Sequence, residues 1–215
     1  EKEIFLIEDA AQSLGSFYPN GKHIGTVGDV GSFSFSPAKI ISTGQGGAVV
    51  TNNSEIAKKV KYLKDFGRSR GGNDIHEFIG YNFKFTDIQA VIGIEQMKKL
   101  DDRIISKKNI YTMYSSLLSN NSHCRIIFND INHTAPWFIE LIAEKRDELI
   151  KYLEKNHIGT RPMYPPINKQ KAYNETTSLP VSEMIGTKGL WLPSSVDLNE
   201  ESIQYIVDKI AKFYQ

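Results

Sequence analysis

The 215 residues contain a single cysteine, Cys124, which excludes an internal disulfide and any multi-cysteine metal site. A charge excess of either sign is also missing: 26 Lys and Arg against 25 Asp and Glu leave a net +1. Chains that bind nucleic acid show a clear basic excess, and here 20 basic residues are Lys and only 6 are Arg, so no arginine-rich phosphate patch exists. No apolar run approaches the roughly 18 residues that a membrane helix needs. No signal peptide is visible. A cytoplasmic protein with no membrane and no nucleic-acid partner is expected. The five histidines (23, 76, 123, 133 and 157) are scattered, without HExxH or a His/Cys cluster, so no metal is expected. The nucleophile-elbow, phosphate-loop and dinucleotide glycine patterns are absent, and Gly44-x-Gly46-Gly47 precedes a strand rather than a helix.

What is present is ordinary globular composition, 40% hydrophobic and 24% charged, which excludes a disordered chain. Ile4-Phe5-Leu6-Ile7 is a continuous apolar run of the kind buried parallel strands show. Strands are predicted over residues 4–8, 31–35 and 48–51. A helix follows, with Ser54 as its cap, Ile56, Val60 and Leu63 on one face, and Gly67 as its end. Residues 67–80 form an exposed loop. Thr86 and Gln89 fit a capping box. The helix they start carries Ile88, Val91, Ile92, Ile94 and Met97 on more than one face, which predicts burial between layers. Its pattern continues, with a bend, through Leu118.

Further strands are predicted at 124–128, 137–143 and 158–163. Helices are predicted from Lys145 to Asn156, with Leu149, Ile150 and Leu153 inward, and from Glu200, with Asn199 as cap. Ile203, Ile206, Val207, Ile210 and Phe213 form one stripe of that last helix. Alternating strands and helices indicate α/β. The predicted boundary near residue 105 gives a large-domain part, 1–105, and a small C-terminal domain, 106–215.

Several residues could carry chemistry. Asp9 ends a strand, where ligands bind in open α/β sheets, or it caps a helix starting at Ala10. Lys39 lies between Phe35 and Ile40-Ile41, ahead of the glycine-rich loop; it is either a solvated lysine or an amine whose pKa burial lowers for Schiff-base chemistry. Ser34, Ser36, Ser42 and Thr43 offer hydroxyls for a phosphate, or polar alternation on a strand. Asn82, between Tyr81 and Phe83, is a turn residue or a polar group awaiting a partner. Arg161 and Tyr164 are candidate substrate contacts, since arginine suits phosphate geometry, although an arginine also serves in surface ion pairs.

Taken together, three segments resemble the sugar aminotransferases of the DegT/DnrJ/StrS family. They are Glu8-Asp9-Ala10-Ala11-Gln12-Ser13-Leu14-Gly15, the stretch from Gly28 to Lys39 followed by Thr43-Gly44-Gln45-Gly46-Gly47, and the stretch from Gly80 to Ala90. Thr160-Arg161-Pro162 and Gly189-Leu190-Trp191-Leu192-Pro193 echo it in the second half. The Asn82-Phe83-Lys84-Phe85-Thr86 wording looks most like the perosamine synthase branch, which acts on a GDP-linked 4-keto-6-deoxy sugar.

The resemblance implies a fold-type I enzyme that uses pyridoxal 5′-phosphate and moves an amino group from an amino acid, by family habit glutamate, to a nucleotide-linked keto sugar for polysaccharide or glycan biosynthesis. By the same resemblance, Lys39 is the Schiff-base lysine, Asp9 pairs with the pyridine nitrogen and Gln12 meets the 3′ oxygen. Ser34 holds the phosphate, and Asn82 reaches the cofactor of the neighbouring subunit in a homodimer. Lys39 also argues against the family's dehydratase branch, where a histidine takes its place. Gln45, Lys84 and Ser36 stand where many members have Glu, Arg and His, and bear on substrate choice, with Lys84 a candidate substrate contact. Members carry a segment ahead of the Glu8-Asp9 strand, so an incomplete large domain is expected, and with it a C-terminal portion of such an enzyme. An inactive fragment or subunit that needs a separate N-terminal half is the alternative; another pyridoxal-phosphate reaction on the same scaffold is the third.

Overall fold

The computed structural model describes residues 4–173 and 177–215. The chain divides into two compact units, Glu1–Ile104 with Ile131–Trp137, and Ile105–Asp130 with Phe138–Gln215.

The first unit carries a three-stranded sheet ordered β1 (Ile7–Asp9), β2 (Val30–Ser34), β3 (Gly47–Val50). β1 runs parallel to β2, with Asp9 opposite Ser32, and β3 runs antiparallel to β2, with Gly47 opposite Ser34. β1 is shorter than the predicted 4–8 and forms an edge. Its apolar run is exposed, Ile4 at 81% and Ile7 at 65%, because no described strand pairs with its outer side.

α1 (Ser54–Leu63) is capped by Asn53, not Ser54: Asn53 Oδ1 accepts from the N–H groups of Glu55 (2.9 Å) and Ile56 (3.2 Å). The helix stops before Gly67, which at φ +75° donates its N–H to the Tyr62 carbonyl. α2 (Asp87–Met97) has the predicted capping box of Thr86 and Gln89. Its apolar residues are not buried between layers, however: Ile88 is 76% and Val91 62% exposed. The next helix, α3 (Leu100–Leu117), is a separate element, so the expected bend is a break at Lys98-Lys99.

The second unit holds a four-stranded antiparallel sheet built from β4 (Cys124–Ile126), β5 (Ile139–Ala143), β6 (Arg161–Pro162) and β7 (Gly189–Leu192), in the order β4-β5-β7-β6. The predicted strand 158–163 shrinks to two residues, one of them a proline with no N–H for a longer ladder. α4 (Arg146–Lys155) and α6 (Glu200–Phe213) pack together and bury Leu149, Leu153, Ile203, Ile206, Val207 and Ile210. Asn199 caps α6 by accepting from the Ser202 N–H at 2.9 Å. α5 (Pro180–Lys188) starts on proline, a favourable first helical residue, and the fully buried β7 follows it directly. Each fully buried aliphatic side chain contributes about 1.5–3 kcal/mol. Of the largest fully buried side chains, all but Ile41 and Pro136 belong to this unit. Lys107 of α3 is buried too; it donates to the Ser194 carbonyl at 2.5 Å, and burial lowers its pKa to about 8.

Candidate active site

The site forms at the carboxyl ends of β1 and β2. Asp9 closes β1, and its Oδ1 accepts the Ala11 N–H at 3.1 Å. Turns, not a helix, follow it, so Asp9 is no helix cap. The turn at Gly15 (φ +84°) is fastened by the Gly15 N–H, 3.0 Å from Nε2 of His23. Where β2 ends, Ser34 Oγ lies 3.2 Å from Ser36 Oγ. The chain then turns, with the Lys39 N–H on the Ser36 carbonyl at 3.0 Å.

Gln12, Ser34 and Lys39 line one cleft, together with Ala135, Pro136 and Trp137. Lys39 is half-buried, and its Nζ lies 3.9 Å from the centre of the Trp137 ring. Desolvation holds the amine below its ordinary pKa, while the negative charge of Asp9 pulls the other way. Asp9 is thus within electrostatic reach of Lys39. A partly desolvated amine can lose its proton, condense with a carbonyl and carry a proton between neighbouring atoms.

The other hydroxyls of the sequence reading are spent on backbone: Ser42 Oγ donates to the Phe35 carbonyl (3.2 Å) and Thr43 Oγ1 to that of Gln45 (2.7 Å). The glycine-rich loop needs its glycines, because a Cβ on Gly46, at φ +124°, would stand 2.5 Å from the Phe85 ring. Asn82 does not line the cleft; its backbone bridges to Asp65. Lys84 pairs with Asp65 at 3.1 Å, on the carboxylate that also holds Arg68 at 2.6 Å. Arg161 and Tyr164 lie in the second unit, where the Arg161 guanidinium stacks 5.1 Å from the Tyr164 ring and 5.6 Å from that of Trp191.

Two residues escaped the sequence reading. Glu8 is buried, and its carboxylate accepts the N–H groups of Gly25 (2.8 Å), Val27 (2.6 Å) and Gly28 (2.6 Å) and the Tyr18 hydroxyl (2.8 Å). Those hydrogen bonds, led by that of Gly28, outweigh burial and lower its pKa to about 2. The only hint in the sequence is the pair of glycines at 25 and 28. Trp137 gave no signal, because only the fold brings it to Lys39. Among the described residues no group of three or more His, Cys, Asp or Glu could hold a metal ion, and no helix is long and apolar enough to cross a membrane.

Sheet, turn and cleft define an α/β protein that presents a lysine amine at the carboxyl ends of its strands. The chain belongs to the DegT/DnrJ/EryC1/StrS aminotransferase family, whose profile matches residues 1–211. It is 36% identical to the GDP-perosamine synthase of Escherichia coli O157:H7 over 99% of this chain and 59% of that protein. It is 33% identical to the Vibrio cholerae GDP-perosamine synthase, over 100% of this chain and 60% of that protein. Among solved structures it resembles S. venezuelae DesV in complex with a ketimine intermediate, with TM-score 0.89 and 28% identity over 99% of this chain and 58% of that one. The chain therefore spans well under two thirds of the length of these relatives.

Proposed function

We propose that the protein is a pyridoxal-phosphate-dependent aminotransferase that moves an amino group from an amino acid, glutamate, to a nucleotide-linked keto sugar, GDP-4-keto-6-deoxymannose, for polysaccharide or glycan biosynthesis. The observation that carries this reading is the Lys39 amine, desolvated in a cleft it shares with Gln12 and Ser34, in the field of Asp9. That donor set fits the cofactor: an amine for an aldehyde, a carboxylate for a ring nitrogen, an amide for a ring oxygen and a hydroxyl for a phosphate. The two GDP-perosamine synthases among its relatives support the GDP-linked sugar.

When bound, the cofactor supplies an electron sink and an aldehyde carbon. Lys39 would hold the cofactor through Nζ and would accept and return a proton at the same atom. Its lowered pKa favours the unprotonated amine that both tasks need. Asp9 would keep the ring nitrogen protonated, Gln12 would donate to the ring oxygen and Ser34 would donate to the phosphate. Asn82 serves the neighbouring subunit of a homodimer, and Lys84, Arg161 and Tyr164 contact the nucleotide-linked sugar. We place the cofactor part at 1–105, joined by the returning segment 131–137, and the small domain in the rest of 106–215.

A second reading has these 215 residues active only with a further polypeptide; the exposed apolar residues of α2 favour it. One experiment serves both. Borohydride-treated full-length protein should carry a reduced cofactor adduct on Lys39, absent from K39A, and should aminate a GDP-linked keto sugar in a panel read by mass spectrometry. The 215-residue chain alone should carry little adduct under the second reading and a full one under the first. Adduct formation that survives K39A unchanged would overturn the assignment.

A further inference from the structure

The carbonyls on either side of Lys39 are both held from elsewhere in the first unit. The indole Nε1–H of Trp137 donates to the Ala38 carbonyl at 2.7 Å, and Nη1 of Arg103 donates to the Ile40 carbonyl at 2.9 Å. Arg103 is itself fixed, 2.6 Å from Oε1 of Gln96, so its grip spans the break between α2 and α3. Ile41, the next residue, is buried at 1% exposure. The lysine backbone is thereby pinned at residues 38, 40 and 41, while the indole face lies against Nζ. A lysine side chain has four rotatable bonds and much entropy to lose, so the reach of its amine depends on a fixed backbone.

We infer that Arg103 and Trp137 are positioning residues that hold the Lys39 backbone so that its amine meets the carbonyl of its ligand. This rests on the aminotransferase reading for the identity of that ligand. Attachment forms a C=N bond between Nζ and the aldehyde carbon and releases one water, with no change of oxidation state. It is sensitive to placement, since a misplacement of about 1 Å costs on the order of a hundredfold in rate. Arg103 does not line the cleft, so it acts through Lys39 rather than on the ligand.

The test compares two ligands on the full-length protein. Pyridoxal phosphate reports attachment, read as the rate at which a borohydride-trapped adduct appears on Lys39. Pyridoxamine phosphate has no aldehyde, so its affinity reports the cleft alone. W137F keeps an aromatic face over Nζ and loses the N–H; R103L loses the other anchor, and R103K keeps one donor. W137F and R103L should each slow attachment about tenfold; R103L, which lies outside the cleft, should keep pyridoxamine phosphate affinity within about twofold, and R103K should recover part of the rate. Equal losses for both ligands in R103L, or no loss of rate in either variant, would overturn the inference.

A wild-type protein that forms no Lys39 adduct would defeat the aminotransferase reading instead. The bracket would then be judged in cofactor-free protein by acetylation of Lys39 relative to exposed Lys22. A ratio shifted by about threefold or more in W137F and R103L upholds it, and an unchanged ratio sinks it.

Discussion

Glu8 Oε2 accepts the Gly28 N–H at 2.6 Å, tying β1 to the loop that leads into β2. The strand ending in Asp9 is thus fixed by the carboxylate one residue earlier, on the opposite face. Burying that charge is tolerable because four donors surround it.

This carboxylate sets a pH dependence. Its folded pKa of about 2 lies below the ordinary 4.5, so its stabilisation is complete above about pH 4.5 and is lost as pH falls from there towards 2. Urea denaturation at pH 7 and pH 3 should show wild type losing more stability on acidification than E8Q. At pH 7 E8Q should be less stable by about 2–3 kcal/mol, the scale of a charged hydrogen bond and an ill-matched amide. An equal acid response in both proteins would contradict this account.

G31A should be still more damaging. A Cβ at Gly31 would fall 1.8 Å from the Gly25 carbonyl oxygen, and backbone cannot step aside as a flexible side chain can. A loss of about 3 kcal/mol is expected, seen as a lower denaturation midpoint. A midpoint equal to wild type would show that Gly31 does not approach the Gly25 carbonyl so closely.

D9N should lower the Lys39 pKa further, because the Asp9 charge opposes the effect of burial. The midpoint of pH-dependent acetylation at Lys39, read by mass spectrometry, should move down; an upward move would separate the two groups. K39A should reduce transamination by at least about a hundredfold with the fold intact by circular dichroism.

In the second unit, N199A should cost about 1 kcal/mol through its helix cap. L149A should cost about 2–5 kcal/mol through a cavity under α4. Calorimetry that ranks the cap above the core residue would reverse the order argued from burial.

Much of this was legible in the sequence, for local reasons. The capping box at Thr86 and the Asn199 cap are written within a turn of the residues they serve, and the stripe on α6 is a matter of spacing. Asp9, Ser34 and Lys39 stand out because strand ends, a proline and glycines punctuate their neighbourhoods, whereas Gln12 is marked only by the family resemblance. What escaped depends on distance along the chain. Trp137 meets Lys39, and Glu8 meets the 25–28 loop, only after the chain has folded back. α2 misled in the opposite direction. Its periodicity reports what the helix is suited to contact, whereas its exposure depends on which neighbours are present.

The uneven placement of oily side chains gives the same kind of mutation opposite meanings in the two units. A lysine introduced at Ile210 lands in a sealed interior and should collapse it. A lysine introduced at Val91 meets water in this chain and should make the isolated polypeptide easier to keep in solution.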